Sequence, residues 1–225
     1  MCLRLTRWLR KSKSHMIAWI ILSGMVLASF LIGGIPFGYI AGRMRGVDLR
    51  KEGSGNIGAT NAIRVLGKTW GLPVFLLDVL KAYIPLVLLN QALARDPGMF
   101  PLDGQIVLIL VAVAAVLGHN YCPYLGFKGG KGMATSTGVL LALLPWSCVT
   151  CLAVSGLVFS ISRYVSLASI LTSIALPIAT YFFYPGKYWF LGMTLLLSAS
   201  AIWRHRSNIQ RLRQGTELRF GEKKS

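Results

Sequence analysis

The sequence predicts an all-α integral membrane protein of about seven transmembrane helices, on three observations. Apolar residues make up 54% of the chain and mean hydropathy is +0.59, far above an ordinary soluble domain. They gather in successive runs near the roughly 20 residues a helix needs to cross the hydrocarbon core. Charge gathers between those runs, 24 Lys plus Arg against 7 Asp plus Glu, for a net charge of +17. A nucleic-acid binder would share the basicity but not the runs. Anionic head groups or phosphorylated substrates match better.

Taken in order, the first helix is expected from about Met16 to Gly42. The basic head before it, residues 1–15 (MCLRLTRWLRKSKSH), has the composition of a signal-peptide n-region. The apolar run then continues for about 27 residues without a clear small-residue cleavage site, so it is read as a retained helix. The second helix, Gly71 to Asn90, carries Asp78 and Lys81 three positions apart. Both are costly in lipid unless they pair or face the bundle interior, as a structural ion pair or as a support under a loop. The third covers Gln105 to Leu125. The fourth, Met133 to Leu144, is too short to span unless the glycine segment before it dips into the membrane. Pro145 separates it from the fifth, Trp146 to Ser162. The sixth covers Val165 to Tyr184 and the seventh Lys187 to Trp203. The expected organisation is a basic extension (1–15), a transmembrane domain (16–203) and a basic tail (204–225).

The charges orient this bundle. The odd-numbered connections and the tail hold sixteen Lys and Arg, the even-numbered connections two, Arg95 and Lys187. Positive-inside reasoning then places the odd connections and the C-terminus in the cytoplasm and the N-terminus outside. The five basic residues of the head argue the other way, without reversing the balance. Cys148 and Cys151 form a CxxC inside an apolar run, WSCVTCLAVSGLVF, and are read as helix-packing thiols; no disulfide framework is indicated.

Three polar clusters fall on the expected cytoplasmic side: GSGNIGATNAIR (Gly53 to Arg64), GHNYCPYLGFKGGKGMATS (Gly118 to Ser136) and WRHRSNIQRLRQGTE (Trp203 to Glu217). In the first, Gly53, Gly55 and Gly58 permit backbone geometries closed to other residues, so successive N–H groups can curl around an anion. Ser54, Asn56, Thr60 and Asn61 add donors, and Arg64 can grip a phosphate in bidentate fashion. The plainer reading is a flexible basic loop with capping residues. In the second, FKGGKG (Phe127 to Gly132) runs into a helix start at Met133, where free N–H groups and the positive dipole end would face a ligand. It lacks the GxxxxGK[ST] spacing, so no nucleotide-triphosphate loop is implied. A surface turn anchored by Lys128 and Lys131 is the alternative. His119 with Asn120, and His205 with Asn208, are interfacial residues or catalytic ones. No HExxH, CxxC pair or carboxylate cluster suggests a metal, and no cofactor is expected. Glu217 is expected to pair with Arg206, Arg211 or Arg213.

In order and spacing these clusters resemble the bacterial acyl-phosphate–glycerol-3-phosphate acyltransferases, an integral membrane family. The resemblance runs from GGIPFGYIAGRMRGVDLRKEGSGNIGATNAIRVLG through GHNYCPYLGFKGGKGMATS to HRSNIQRLRQGTE, about Leu31 to Glu217. It implies a seven-helix, N-out and C-in bundle of the bacterial cytoplasmic membrane that acylates the 1-hydroxyl of sn-glycerol 3-phosphate from acyl phosphate. By resemblance, Ser54, Arg64 and a lysine of FKGGKG, Lys128 or Lys131, would hold the phosphate of glycerol 3-phosphate. Asn56, Thr60 and the backbone of Gly129, Gly130 and Gly132 would hold the acyl phosphate. His205 and Asn208 would orient the glycerol, Glu217 would keep the third cluster folded, and Ser166 or Ser169 would reach the pocket. The enzyme that makes acyl phosphate is an implied partner; nucleic acid is not. Ser207 stands where the family usually has an acidic residue, Tyr121 stands in a usually aromatic slot, and the basic head has no family counterpart.

Acyl phosphate is a mixed anhydride with a good leaving group, so no acyl-enzyme is required. The sequence has no GxSxG elbow and no HxxxxD acyltransferase signature. Orientation of two anionic substrates can supply roughly 7–11 kcal/mol, and donors at the oxyanion a few more. Two candidates stand for the general base, His205 and a substrate phosphate oxygen. The rival class is a phosphate or organophosphate transporter, which would show mid-membrane pathway residues and internal repeats; polar clusters on one side and no repeat argue against it.

Overall fold

The computed structural model describes residues 2–221, with side chains for residues 15–221. All regular structure among them is helical: α1 (Cys2–Gly34), α2 (Phe37–Met44), α3 (Ala59–Leu66), α4 (Lys68–Arg95), α5 (Gly104–Asn120), α6 (Met133–Leu143), α7 (Pro145–Ser162), α8 (Val165–Phe183), α9 (Tyr188–Arg204) and α10 (Arg206–Arg213), with a short 3-10 turn at Pro123–Leu125. Every apolar run expected to be helical is helical. Among the described residues, five segments are long and apolar enough to cross a membrane: His15–Met44, Lys68–Arg95, Gly104–Leu125, Pro145–Ser162 and Val165–Phe183. At 11 and 17 residues, α6 and α9 fall short of the roughly 20 that a perpendicular span needs. The side chains of Arg4, Arg7, Arg10, Lys11 and Lys13, and residues Lys223 and Lys224, lie outside those described.

Several boundaries differ from the sequence reading for local reasons. The first helix is not continuous to Gly42. Pro36 has no N–H to donate and disfavours a helical residue before it, so α1 stops at Gly34 and α2 restarts at Phe37. The second helix is longer than expected, starting at Lys68 and ending at Arg95, and it accommodates Pro73 and Pro85 within its length. The third ends at Asn120, because Pro123 turns the chain into the 3-10 element. Half of the first polar cluster is helix rather than loop: α3 begins at Ala59, directly after GSGNIG.

Packing depends on backbones coming close. A Cβ on Gly33 would overlap the Ala115 carbonyl, and one on Gly118 would overlap the Phe30 carbonyl, so α1 and α5 touch main chain to main chain. Gly138 brings α6 against the Val79 carbonyl of α4 in the same way. Small residues at such crossings maximise van der Waals contact where the surrounding lipid is as apolar as the helices. The central core lies between α4, α5, α6 and α9, around Leu86, Val107, Val139, Leu144 and Met193. A second, smaller core of Ala41, Leu49, Ala62 and Val74 sits beneath the first polar cluster. Outward faces carry exposed apolar side chains such as Leu157, Ile161 and Phe182.

Asp78 and Lys81 are a buried ion pair, Nζ to Oδ1 2.7 Å, with both side chains 2% exposed. Lys81 also donates to the Ile35 carbonyl at 3.0 Å, at the break between α1 and α2. Its Nζ lies 3.1 Å from His119 Nδ1. One lysine therefore ties α4 to the α1–α2 junction and to the end of α5.

Replacing Gly118 with leucine is expected to force α1 away from α5 and cost about 1–3 kcal/mol. The check is the thermal midpoint in detergent; an unchanged midpoint would show that the helices do not meet there.

Candidate functional site

All three polar clusters contribute to one cavity of about 340 Å³. Its mouth lies where the α3 and α6 N-termini, the α9–α10 junction and the start of α8 converge. Further in, its wall is mainly apolar, with Phe75, Leu140, Leu152, Leu176 and Leu197, and also carries Asp78, Thr172, Ser173 and Ser198. Eleven residue steps separate Val165 from Leu176 on α8, so the cavity extends about 16 Å along the helix at 1.5 Å per residue. That is about half of a typical hydrocarbon core.

The first cluster reaches the mouth with Ser54, Asn56, Thr60, Asn61 and Arg64. Gly53 has φ +59°, a conformation that favours glycine, and a Cβ there would strike Asn61 Oδ1. Asn61 is 1% exposed and braces the turn. Its Oδ1 accepts from the Ser54 N–H at 2.8 Å, and its Nδ2 donates to the carbonyls of Leu49 and Glu52, both at 3.0 Å. With both donors spent, Asn61 has none for a ligand, a correction to its expected binding role. Asn56 Oδ1 accepts from the Gly58 N–H at 2.8 Å and retains its amide donors. The Nε of Arg64 is buried and unpartnered. Burial lowers the guanidinium pKa, with partial compensation from Glu217.

The second cluster divides. Lys131 and Gly132 line the cavity, whereas Lys128 is exposed outside it. Gly129 and Gly130 are not lining residues either. They pack over the end of α5, where a Cβ on Gly129 would hit the His119 carbonyl and one on Gly130 the His119 ring. Glycine is needed there for close approach, and the Gly130 N–H is spent on the His119 carbonyl, which corrects the expectation that it cradles a ligand. Gly132, at φ +79°, is the N-cap of α6, and Met133 and Ala134 follow it along the cavity wall. The start of α6 thus presents main-chain N–H groups and the positive dipole end to the cavity.

The third cluster supports Lys131. Its Nζ donates to Asn208 Oδ1, Asn208 Nδ2 donates to Glu217 Oε1 at 2.6 Å, and Arg211 Nε donates to Glu217 Oε2 at 2.7 Å. The expected ion pair of Glu217 is therefore with Arg211. Burial works against the Glu217 carboxylate, but the bonds from Asn208 and Arg211 outweigh it and hold its pKa below the usual range. Burial pushes the Lys131 amine down to about 8, Arg211, Arg204 and Arg64 adding to the effect and Glu217 opposing it. His205, 3% exposed, is lowered to about 4 by burial first and by Lys131 second. Its Nδ1 faces the Ala201 carbonyl at 2.8 Å, which can only accept, so Nδ1 carries the proton and Nε2 is the ring's acceptor.

Ser166 and Ser169 both line the cavity, so the sequence alternative between them dissolves. Asp78 lines it too, with His119, while Lys81 stays behind them. Cys151, a buried free thiol, also forms part of the wall. Arg204 escaped the sequence reading, although it adjoins His205: its Nε and Nη2 donate to the Gly130 carbonyl at 3.0 and 2.6 Å, and Nη2 donates to the Gly129 carbonyl at 2.9 Å. Among the described residues, neither Arg64 nor Lys131 has a carboxylate within ion-pair distance. A cavity with two such cations and a helix N-terminus at its mouth, above an apolar recess, suits an anion with a hydrocarbon tail.

A family model for glycerol-3-phosphate acyltransferase matches residues 23–215. The chain is 44% identical over 206 residues to a glycerol-3-phosphate acyltransferase of Shouchella clausii, covering 88% of this chain and 95% of that protein. It is 42% identical over 204 residues to one from Thermosynechococcus vestitus, with 90% and 96% covered. Among solved structures it is similar to PlsY, an integral membrane glycerol 3-phosphate acyltransferase, in its glycerol 3-phosphate form (TM-score 0.79, 41% identity, 89% of this chain and 96% of that one). The lysophosphatidic acid form is also similar, with TM-score 0.77 and 40% identity over 89% and 95% of the chains.

With the Lys131 amine at about 8, its cation is present below that pH and is lost as pH rises through it. Binding of a phosphate monoester to the purified protein is therefore expected to weaken between pH 7 and 9.5. A flat profile for the wild type, or an equally steep one for Lys131→Met, would remove Lys131 from the anion site.

Proposed function

The chain belongs to the glycerol-3-phosphate acyltransferase family, and from that premise we propose that it acylates the 1-hydroxyl of sn-glycerol 3-phosphate using acyl phosphate as donor. The products are lysophosphatidic acid and inorganic phosphate. The observation that carries the reading is the union, in one cavity, of a cationic mouth with an apolar recess about half a bilayer deep. One end suits phosphate groups and the other an acyl chain.

In this reading Ser54, Arg64 and Lys131 hold the phosphate of glycerol 3-phosphate; the exposed position of Lys128 favours Lys131 as the lysine. Asn56, Thr60 and the main chain from Gly132 into α6 receive the acyl phosphate. Ser166 and Ser169 border the acyl entrance. Glu217 acts through Asn208 and Lys131, and Asn208, with one Nδ2 hydrogen given to Glu217, keeps the other to orient the glycerol. His205 offers Nε2 as acceptor to the glycerol hydroxyl.

The hydroxyl oxygen attacks the acyl carbonyl carbon, the bond from that carbon to the bridging phosphate oxygen breaks, and phosphate departs with the electron pair. With a pKa of about 4, His205 is a weak final proton acceptor. A phosphate oxygen, whose second ionisation lies near pH 6, holds the proton better. His205 therefore orients the hydroxyl while a substrate phosphate takes the proton. Arg64, Lys131 and the α6 N-terminus stabilise negative charge on the carbonyl oxygen and the leaving phosphate. Juxtaposition supplies most of the remainder.

The basic excess of the odd connections supports an N-out, C-in bundle in the bacterial cytoplasmic membrane, with the cavity mouth toward the cytoplasm. In it α6 and α9 complete seven helices between the basic extension (1–15) and the tail (204–225), and the short α6 is joined at the membrane by its preceding glycine turn. A peripheral enzyme that forms acyl phosphate would deliver its product at that mouth.

Charged hydrogen bonds of about 1.5–3 kcal/mol correspond to roughly 10- to 150-fold in kcat/KM. Ser54→Ala and Arg64→Ala are expected to lose about that much, mainly as higher KM for glycerol 3-phosphate; wild-type kinetics in purified protein would reject the phosphate assignment. Lysophosphatidate should form from acyl phosphate and not from acyl-coenzyme A. Labelled acyl groups should never be trapped on the protein by acid quenching, and a covalent adduct on the reaction path would overturn single displacement.

A further inference from the structure

We infer that Arg204 is a positioning residue that fixes the Gly129–Lys131 turn, so that the Lys131 ammonium and the α6 N-terminus address the cavity. This rests on the proposed role of Lys131 in phosphate binding and adds to it a residue that does not line the cavity.

The geometry begins with two consecutive peptide groups. In the first, the Gly129 carbonyl accepts from Arg204 Nη2 while the Gly130 N–H, on the opposite side of the same planar trans peptide, donates to the His119 carbonyl at 3.0 Å. In the second, the Gly130 carbonyl accepts from both Nε and Nη2 of Arg204. The N–H of Lys131 must then point away from α9. The turn is held from one side by the end of α5 and from the other by the end of α9. There is no slack between them, because neither Gly129 nor Gly130 has room for a Cβ against His119.

The same junction holds the other end of Lys131. Asn208, four residues after Arg204, accepts from its Nζ. The α9–α10 segment therefore fixes the main chain of Lys131 through Arg204 and its ammonium through Asn208. A planar guanidinium suits this task because its fork reaches two carbonyls at once, which a single ammonium on a flexible stem does less well. The Arg204 guanidinium also lies over the Tyr121 ring, 5.5 Å from its centroid, which restrains it on the outer side. Half-buried and, among the described residues, hydrogen-bonded through its side chain to main-chain carbonyls of the turn, Arg204 reaches the reaction through Lys131 and α6.

The test uses the purified full-length enzyme and the variants Arg204→Lys and Arg204→Gln. The readouts are kcat and KM for glycerol 3-phosphate and the pH midpoint of Lys131 labelling by an amine-reactive probe. Besides Arg204, the charged and titratable groups facing Lys131 are Arg64, Arg211, Glu217 and His205, and these stay in place. The expected result is a rise in KM of tenfold or more for Arg204→Gln and a smaller rise for Arg204→Lys. In both variants the labelling midpoint should move up from about 8 as water reaches the loosened amine. The lysine variant keeps the neighbouring positive charge, so its upward shift reports position and not charge. Variants with wild-type KM and midpoint, including any that merely melt earlier, would overturn the inference. Lys131→Met separates this failure from that of the underlying reading: if it retains wild-type KM, the phosphate role of Lys131 falls independently of Arg204.

Discussion

Arg64 and Lys131 face one cavity with no carboxylate within ion-pair distance among the described residues, and the rest of the charge distribution is arranged to leave them so. The protein has 7 acidic residues against 24 Lys and Arg. Asp78 is engaged by Lys81 and Glu217 by Arg211. Asp48 is engaged by Arg50 on the surface, with a bidentate contact that lowers its carboxyl to about 2. The acidic groups nearest the cavity are therefore neutralised locally, and the field at the mouth stays positive. Uncompensated cations at a partly buried site are unfavourable for the empty protein and favourable once an anion arrives.

That electrostatic condition requires a rigid frame, and the frame comes from close main-chain packing. Glycines at α1–α5 and α4–α6 bring helices together, and Lys81 links α4 to the Ile35 carbonyl at the α1–α2 break and to His119. His119 lies directly under the Gly129–Gly130 turn. Burial of a charged pair inside a bundle is costly, and the pair here lies at the point where four segments meet. Its position explains why a polar pair sits in a span: it anchors the ceiling of the cavity from below while Arg204 anchors it from above.

The chemistry then follows from what the site lacks as well as what it has. A buried histidine at about 4 is neutral at physiological pH and serves as an acceptor rather than a strong base. The donors and cations gather at one end of the cavity, which suits anionic groups there. Below them, leucines of α6, α8 and α9 provide an apolar recess within the bundle, so head and tail of an amphipathic ligand meet different surroundings in one cavity.

Much of this was legible in the chain itself. Apolar runs of membrane length, charge confined between them and three glycine- and donor-rich clusters on one side are local properties, and helix formation in lipid is a local decision because each backbone must satisfy its own hydrogen bonds. The family resemblance was likewise available from motif order. Tertiary structure decided the rest. Lys128 and Lys131 are equivalent by composition, and only the path of the turn over α5 sends one outward and the other to Asn208. Asn61, Gly129 and Gly130 read as ligand donors in sequence, yet the fold spends the Asn61 amide on its own turn and packs the two glycines against His119. Arg204 is one more basic residue in a basic tail until α9 brings it to two carbonyls more than seventy residues away. Sequence determines which groups are available, but long-range contacts determine which of them remain unspent, and only unspent groups can bind a substrate.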